Sequence, residues 1–186
     1  MRTSKTIVII IFAFFLSGFT NPDKKKVAGD YNLFRIDRNR NADVVMYDVE
    51  LDTRGNLNTQ RPVKVYWKKQ SQDGELEPIT SIQKNFGYGL RFLEKSNETA
   101  DFQLVSYKNQ VFQIRKSGEG TFRVYTHTAG CEIEVNSLFI QFKDNAFWFP
   151  EISEIKILGT DTEKGSQVTA TITLDSGNSV LKMAKQ

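Results

Sequence analysis

His127 and Cys131 stand on either side of Thr128-Ala129-Gly130, a turn that would bring an imidazole and a thiol together as base and nucleophile. Neither an orienting group for the histidine nor donors for an oxyanion can be named from the sequence, so the pair reads better as a surface histidine beside a packed thiol. These are the single histidine and the single cysteine of the chain. A zinc site built from the usual ligands therefore lacks its members, and no internal disulfide can form. The 22 acidic residues satisfy almost any spacing, so they only weakly suggest the carboxylate pair, about 5 to 9.5 Å apart, of a glycan-acting enzyme. No Gly-x-Ser-x-Gly elbow occurs. The stretch "GYGLRF" opens like a dinucleotide fingerprint but has Phe92 in the place of the third glycine, with no helical pattern behind it. The residues thus name no catalytic group, no metal ligand and no cofactor.

Binding is the better supported chemistry, and the densest candidate is "LFRIDRNRNADVVMYDVELD", Leu33 to Asp52. Phe34 and Ile36 share one face of a strand, with Arg35 and Asp37 on the other, and Val45, Tyr47, Val49 and Leu51 share a face of the next. Asn39 and Asn41 suit a turn between them. Centring the loop on Asn39 and Arg40 puts Phe34 opposite Val45 and both apolar sets on one side. The charges then fall on the solvent side and the tip. Loops carried by rigid strands concentrate binding residues, so Arg35, Asp37 and Arg38 are binding candidates, joined by Tyr88, which sits between Gly87 and Gly89. Trp148, in "NAFWFPE", is a further aromatic that could face outward and stack on a sugar or a partner, though coverage by the N-terminal arm is the preferred reading.

Period-two alternation recurs along the chain. In "QVTATITLD", Val168, Ala170, Ile172 and Leu174 alternate with threonines; Val63, Val65 and Trp67 alternate with Lys64, Tyr66 and Lys68. Similar runs lie near 102–107, 111–115, 121–126, 131–135 and 138–142. Short gaps rich in Gly, Asn and Asp join them, and loops that short connect antiparallel neighbours. The pattern predicts an all-β fold of about ten strands, a single antiparallel up-and-down barrel or a two-sheet sandwich, with the hairpin connections favouring the barrel. One short helix is expected near 78–86, with Pro78 in its first turn, Ile79, Ile82 and Phe86 at helical spacing and Gly87 at its end. The helix would plug one end of the β structure.

Ahead of this domain, Arg2 and Lys5 precede an apolar run that ends in small residues near Thr20, the plan of a secretory signal. The run is shorter than the ~20 residues that cross ~30 Å of hydrocarbon, so no transmembrane span is expected after cleavage. Residues 1–20 read as a signal peptide, 21–30 as a flexible arm and 31–186 as one β domain, exported to the periplasm or the medium. Loss of Arg2 and Lys5 lowers the formal charge of +3 by two, and the remaining signs interleave. No basic stripe marks a phosphate backbone, which argues against nucleic acid.

The strings "LFRIDRNRNADVVMYDV", "RPVKVYWKK", "NFGYGLRF" and "IKILGTD" together resemble a family of exported bacterial proteins known as a domain of unknown function, number forty-eight thirty-three. The resemblance covers most of the mature chain. It implies no established activity and carries over no catalytic residue, but it implies that Arg35, Asp37 and Arg38 belong to a recurring polar pattern. The leading expectation is a non-catalytic module holding a small apolar or amphipathic ligand, because fourteen phenylalanines, two tryptophans and six tyrosines exceed what turns and surfaces use. The alternative is an envelope interaction protein that recognises a polymer or protein partner through residues 35–43; a glycan-acting enzyme stands third.

Overall fold

The computed structural model describes residues 31–118, 121–143, 151–175 and 178–185. The expected signal peptide and arm lie outside the described residues, as does Trp148. Among the described residues, twelve strands form one sheet that curls into a half-barrel. The chain lays them down as three four-stranded meanders. The first is β1 (Asn32–Arg38), β2 (Val44–Val49), β3 (Val63–Lys69) and β4 (Glu75–Pro78). The second is β5 (Leu90–Lys95), β6 (Thr99–Leu104), β7 (Tyr107–Lys116) and β8 (Phe122–Thr128). The third is β9 (Cys131–Phe142), β10 (Ile152–Asp161), β11 (Gln167–Asp175) and β12 (Asn178–Lys185).

Within each meander every pairing is antiparallel, as short loops require. The three meet on β9, which at twelve residues is the longest strand. β10 runs along one of its edges, while the other edge is shared: β8 pairs with Cys131 to Val135, and β1 pairs with Ser137 to Ile140. The β1–β9 ladder is parallel, the one departure from the expected antiparallel pattern among the described residues. β8 pairs only with the first part of β9, and the rest of that edge offers a row of backbone donors and acceptors that β1 fills. Among the described residues the half-barrel is not closed, since β4 and β5 end the strand order without pairing to each other.

The apolar rows of all three meanders bury into one cluster. Val168, Ala170 and Ile172 alternate inward as the sequence predicts. The first two meanders face each other like two hands, and Phe34 on β1 stacks on Tyr47 (ring centroids 4.2 Å apart) and on Phe102 of β6 (6.1 Å), which stacks on Phe112 (5.5 Å). At one end Leu57, in the long loop between β2 and β3, is 1% exposed and donates its N–H to the carbonyl of Asn97 on the facing hand.

Two local expectations need correction. Phe34 pairs with Tyr47 and Ile36 with Val45, so the β1–β2 register lies two residues from the expected Phe34–Val45 pairing. Burial fixes only the parity of a register, and the turn chemistry near Asn39 does not fix its length. The helix is shorter than 78–86: Pro78 ends β4, Thr80 caps a single turn α1 (Ser81–Gln83) through a reciprocal capping box with Gln83, and a π turn covers Lys84–Tyr88. Ile82 and Phe86, at helical spacing in the sequence, are 73% and 79% exposed.

Candidate functional site

β1 carries Phe34, Ile36 and Arg38 on its inward face, because residues two apart point the same way. Phe34 and Ile36 are buried. Arg38, third in the row, therefore sits at the rim where the interior opens, rather than in the turn where the sequence placed it. The apolar row of β3 ends similarly with Trp67, 4% exposed. The segment after α1 crosses this rim and brings Tyr88 against Trp67, ring edge to face, at 5.1 Å and 79°.

These three side chains form a cluster. The Arg38 guanidinium lies over the Trp67 ring, 4.3 Å from its centroid, with the Tyr88 ring at 5.7 Å. Its Nη1 donates to the Tyr88 hydroxyl at 2.9 Å, and its Nη2 to Asn41 Oδ1 at 2.7 Å. Nε is buried and meets no acceptor. Among the described residues no carboxylate lies within ion-pair distance of Arg38. The guanidinium is thus half-buried, oriented by two neutral acceptors and uncompensated.

The framework around it is stiff. Tyr47 donates its hydroxyl to the Tyr88 carbonyl at 2.7 Å; burial first, then the neighbouring Tyr88, holds that phenol well above its ordinary pKa of 10.0, so it stays a donor. Trp67 Nε1 donates to Gln83 Oε1 at 3.2 Å, the oxygen that also accepts from the backbone N–H of Thr80. Gly89 closes the turn because a Cβ there would lie 1.9 Å from the carbonyl oxygen of Lys84. Lys69 lies 5.4 Å from the Trp67 centroid but is held by Asp43 at 3.8 Å and Glu77 at 3.2 Å.

Of the four sequence candidates, the structure brings Arg38 and Tyr88 together. Arg35 and Asp37 pair with each other at 3.0 Å on the outward face of β1, away from the cluster. Trp67 and Tyr47 read from the sequence as inward residues of apolar rows, not as part of a site. Their signal was the parity of Arg38 with Phe34 and Ile36, which places a cation at the end of an apolar row.

A second polar site, not anticipated, lies in a groove of about 340 Å³ lined by Arg115, Tyr125, Glu132, Glu134, Thr160 and Asp161, among others. Arg115 lies 3.7 Å over the Tyr125 ring and donates from Nη2 to Glu132 Oε2 at 2.5 Å. The hydrogen bond from Arg115 holds the Glu132 carboxyl below its usual range, which keeps it ionised and unsuited to deliver a proton to a glycosidic oxygen. Glu134 faces Arg123 at 3.6 Å. Asp161 is buried, accepts the backbone N–H groups of Glu163 and Lys164, and has the Lys164 ammonium 3.5 Å from Oδ2. Every charge in this groove has a counter-charge from the chain itself.

The histidine and cysteine stand apart. Ala129 and Gly130 take positive φ (49° and 77°) in a two-residue hairpin turn. His127 consequently pairs across with Glu132 and Thr128 with Cys131, so the imidazole and the thiol leave opposite faces of the hairpin. Among the described residues no group of three or more His, Cys, Asp and Glu is placed to hold a metal ion. No helix among them is long and apolar enough to cross a membrane.

The family described as Domain of unknown function (DUF4833) matches residues 34–170. No curated protein and no solved structure matches the chain. The match spans most of the sequence, so the chain belongs to that family.

Proposed function

We propose that this member of the DUF4833 family is an exported, non-catalytic binding module that recognises an anionic group of an amphipathic ligand or envelope partner at the Arg38–Trp67–Tyr88 rim. The observation that carries this reading is the uncompensated Arg38. A cation held half out of water is costly unless something answers its charge, and the π face of Trp67 answers it only in part. A planar guanidinium with its orientation fixed and N–H groups to spare suits the fork geometry of a carboxylate or phosphate. An apolar ligand housed in the interior has less support, because stacked rings of Phe34, Tyr47, Phe102 and Phe112 fill the space between the facing hands. The apolar portion of a ligand would lie along the rim instead.

The test is side-chain ¹⁵N NMR of the arginine Nε–H groups during titration with inorganic phosphate and with acetate. The expected result is a saturable shift of the Arg38 Nε–H signal, with that of Arg115 unmoved. An Arg38 signal indifferent to both anions overturns the proposal.

A further inference from the structure

Beside the rim, α1 and the π turn that follows place Ile82 and Phe86 four residues apart, both mostly exposed. Other exposed large apolar residues, Leu76, Leu93 and Val111, are single outward positions on strands, which are ordinary on a protein surface. Ile82 and Phe86 differ because they lie four residues apart on one turn whose other residues are held to the body of the domain: Gln83 by Trp67 and Thr80, Tyr88 by Tyr47 and Arg38. The result is a tethered turn that carries two large, mostly exposed apolar side chains beside the rim.

Charge identifies the partner. Lys84 lies between the two apolar residues and is exposed, Arg91 follows at the start of β5, and Arg38 and Arg40 come from the neighbouring β1 end. None of these four joins an ion pair among the described residues. Among the described residues the acids of this end are Asp43 and Glu77, both held by Lys69, Asp37 held by Arg35, Glu151 held by Lys143, and Asp73 and Glu75 at the β3–β4 hairpin. Unpaired cations around this apolar pair match the two layers of an anionic bilayer, with acyl chains to receive Ile82 and Phe86 and acidic headgroups level with the cations. We infer that the α1 turn and the Arg38 rim form one surface that docks on an anionic lipid membrane, with Ile82 and Phe86 entering the interface and Arg38 taking a lipid phosphate. The inference rests on the reading of Arg38 as an open anion receptor and specifies the source of the anion.

The test compares partition of the full chain onto vesicles of phosphatidylcholine alone and of an equal mixture of phosphatidylcholine and phosphatidylglycerol. Residues 7–19 are common to wild type and variants, so the ratio of partition coefficients reads the turn. Replacing both residues (Ile82→Ser with Phe86→Ser) should lower partition onto the mixed vesicles about tenfold or more without changing Tm, since both side chains lie outside the core. The pair Arg40→Gln and Lys84→Gln should weaken binding to the mixed vesicles and leave phosphatidylcholine unaffected. Equal partition of the serine variant and the wild type overturns the membrane inference. Should that occur while phosphate still moves the Arg38 Nε–H signal, the rim reading stands and only its lipid source falls.

Discussion

Arg38 and Arg115 make the same local contact, a guanidinium lying 4.3 Å above the Trp67 centroid in one case and 3.7 Å above Tyr125 in the other. Their surroundings then diverge. Arg115 reaches Glu132 at 2.5 Å, and that carboxylate also accepts from Thr162 at 3.2 Å and lies 3.8 Å from His127. Arg38 meets a phenol and an amide, and one of its nitrogens meets nothing. A charged acceptor both orients an arginine and neutralises it, whereas neutral acceptors orient it and leave the charge available. The outer groove is therefore self-contained, and the rim is the place where the fold leaves an interaction unfinished.

Removing the aromatic platforms should produce the largest difference between the two sites. Trp67 is shared by Arg38, Tyr88 and Gln83 and closes the end of the core, so Trp67→Ala should lower unfolding free energy by about 3–5 kcal/mol. Tyr125 lies outside the central cluster on the groove face, and Tyr125→Ala should cost less. Urea midpoints at constant m-value give both numbers. Equal losses would show that the groove platform is as structural as the rim platform, and the contrast would have to rest on charge alone.

The arginines themselves should rank the other way. Arg115→Met leaves a mostly covered carboxylate without its main partner, worth about 1–2 kcal/mol because both side chains keep some solvent, 34% and 20% exposed. Arg38→Met keeps the stem on Trp67 and strands no charge, so the change should stay within about 0.5 kcal/mol. Acid titration separates them further. A carboxyl held below its unfolded value, here an ordinary 4.5, adds stability that is present above that pH and is lost as pH falls through the lower folded value. Arg115→Met should flatten this part of the acid limb and Arg38→Met should leave it unchanged. A steep stability loss in Arg38→Met would mean that the rim arginine is a structural strut.

Much of this architecture follows from parity. Alternation at Phe34 and Ile36, at Val168 to Ile172 and at Ile133 and Val135 specifies which side chains bury, since one face of a strand must leave water. Parity does not say which strands become neighbours. The parallel β1–β9 ladder depends on β9 outrunning β8, a matter of relative length that no local pattern records. The short helix forms where expected but is cut to one turn for a related reason: the spacing of Ile79, Ile82 and Phe86 is helical, yet the segment has only to bridge β4 and β5, and Thr80 and Gln83 capture its first turn. At the site, Arg38 and Tyr88 were legible as polar and aromatic punctuation. Trp67 was not, because an aromatic ending an apolar row reads as core until the cation above it is located. The pairing of Arg115 with Glu132 joins β7 to β9 across β8, a contact between strands that are not adjacent and so beyond any hairpin rule.

The smallest perturbation is the most discriminating. Tyr88→Phe keeps the ring against Trp67 and the backbone carbonyl that accepts from Tyr47, and removes only the hydroxyl that accepts from Arg38 Nη1. Water can replace that acceptor at a half-exposed arginine, so stability should change by no more than about 0.5 kcal/mol. Affinity is more sensitive than stability here, because the hydroxyl restricts where the guanidinium points before an anion arrives. Losing that restriction while freeing one N–H has opposing effects. The freed N–H was already competing with water, so orientation should win, and phosphate should saturate the Arg38 Nε–H shift at about threefold higher concentration, an effect of ~0.6 kcal/mol. Tighter phosphate binding in Tyr88→Phe would reverse that ranking and make the tyrosine a competitor for the arginine, so that a ligand would have to displace its hydroxyl before the rim could bind.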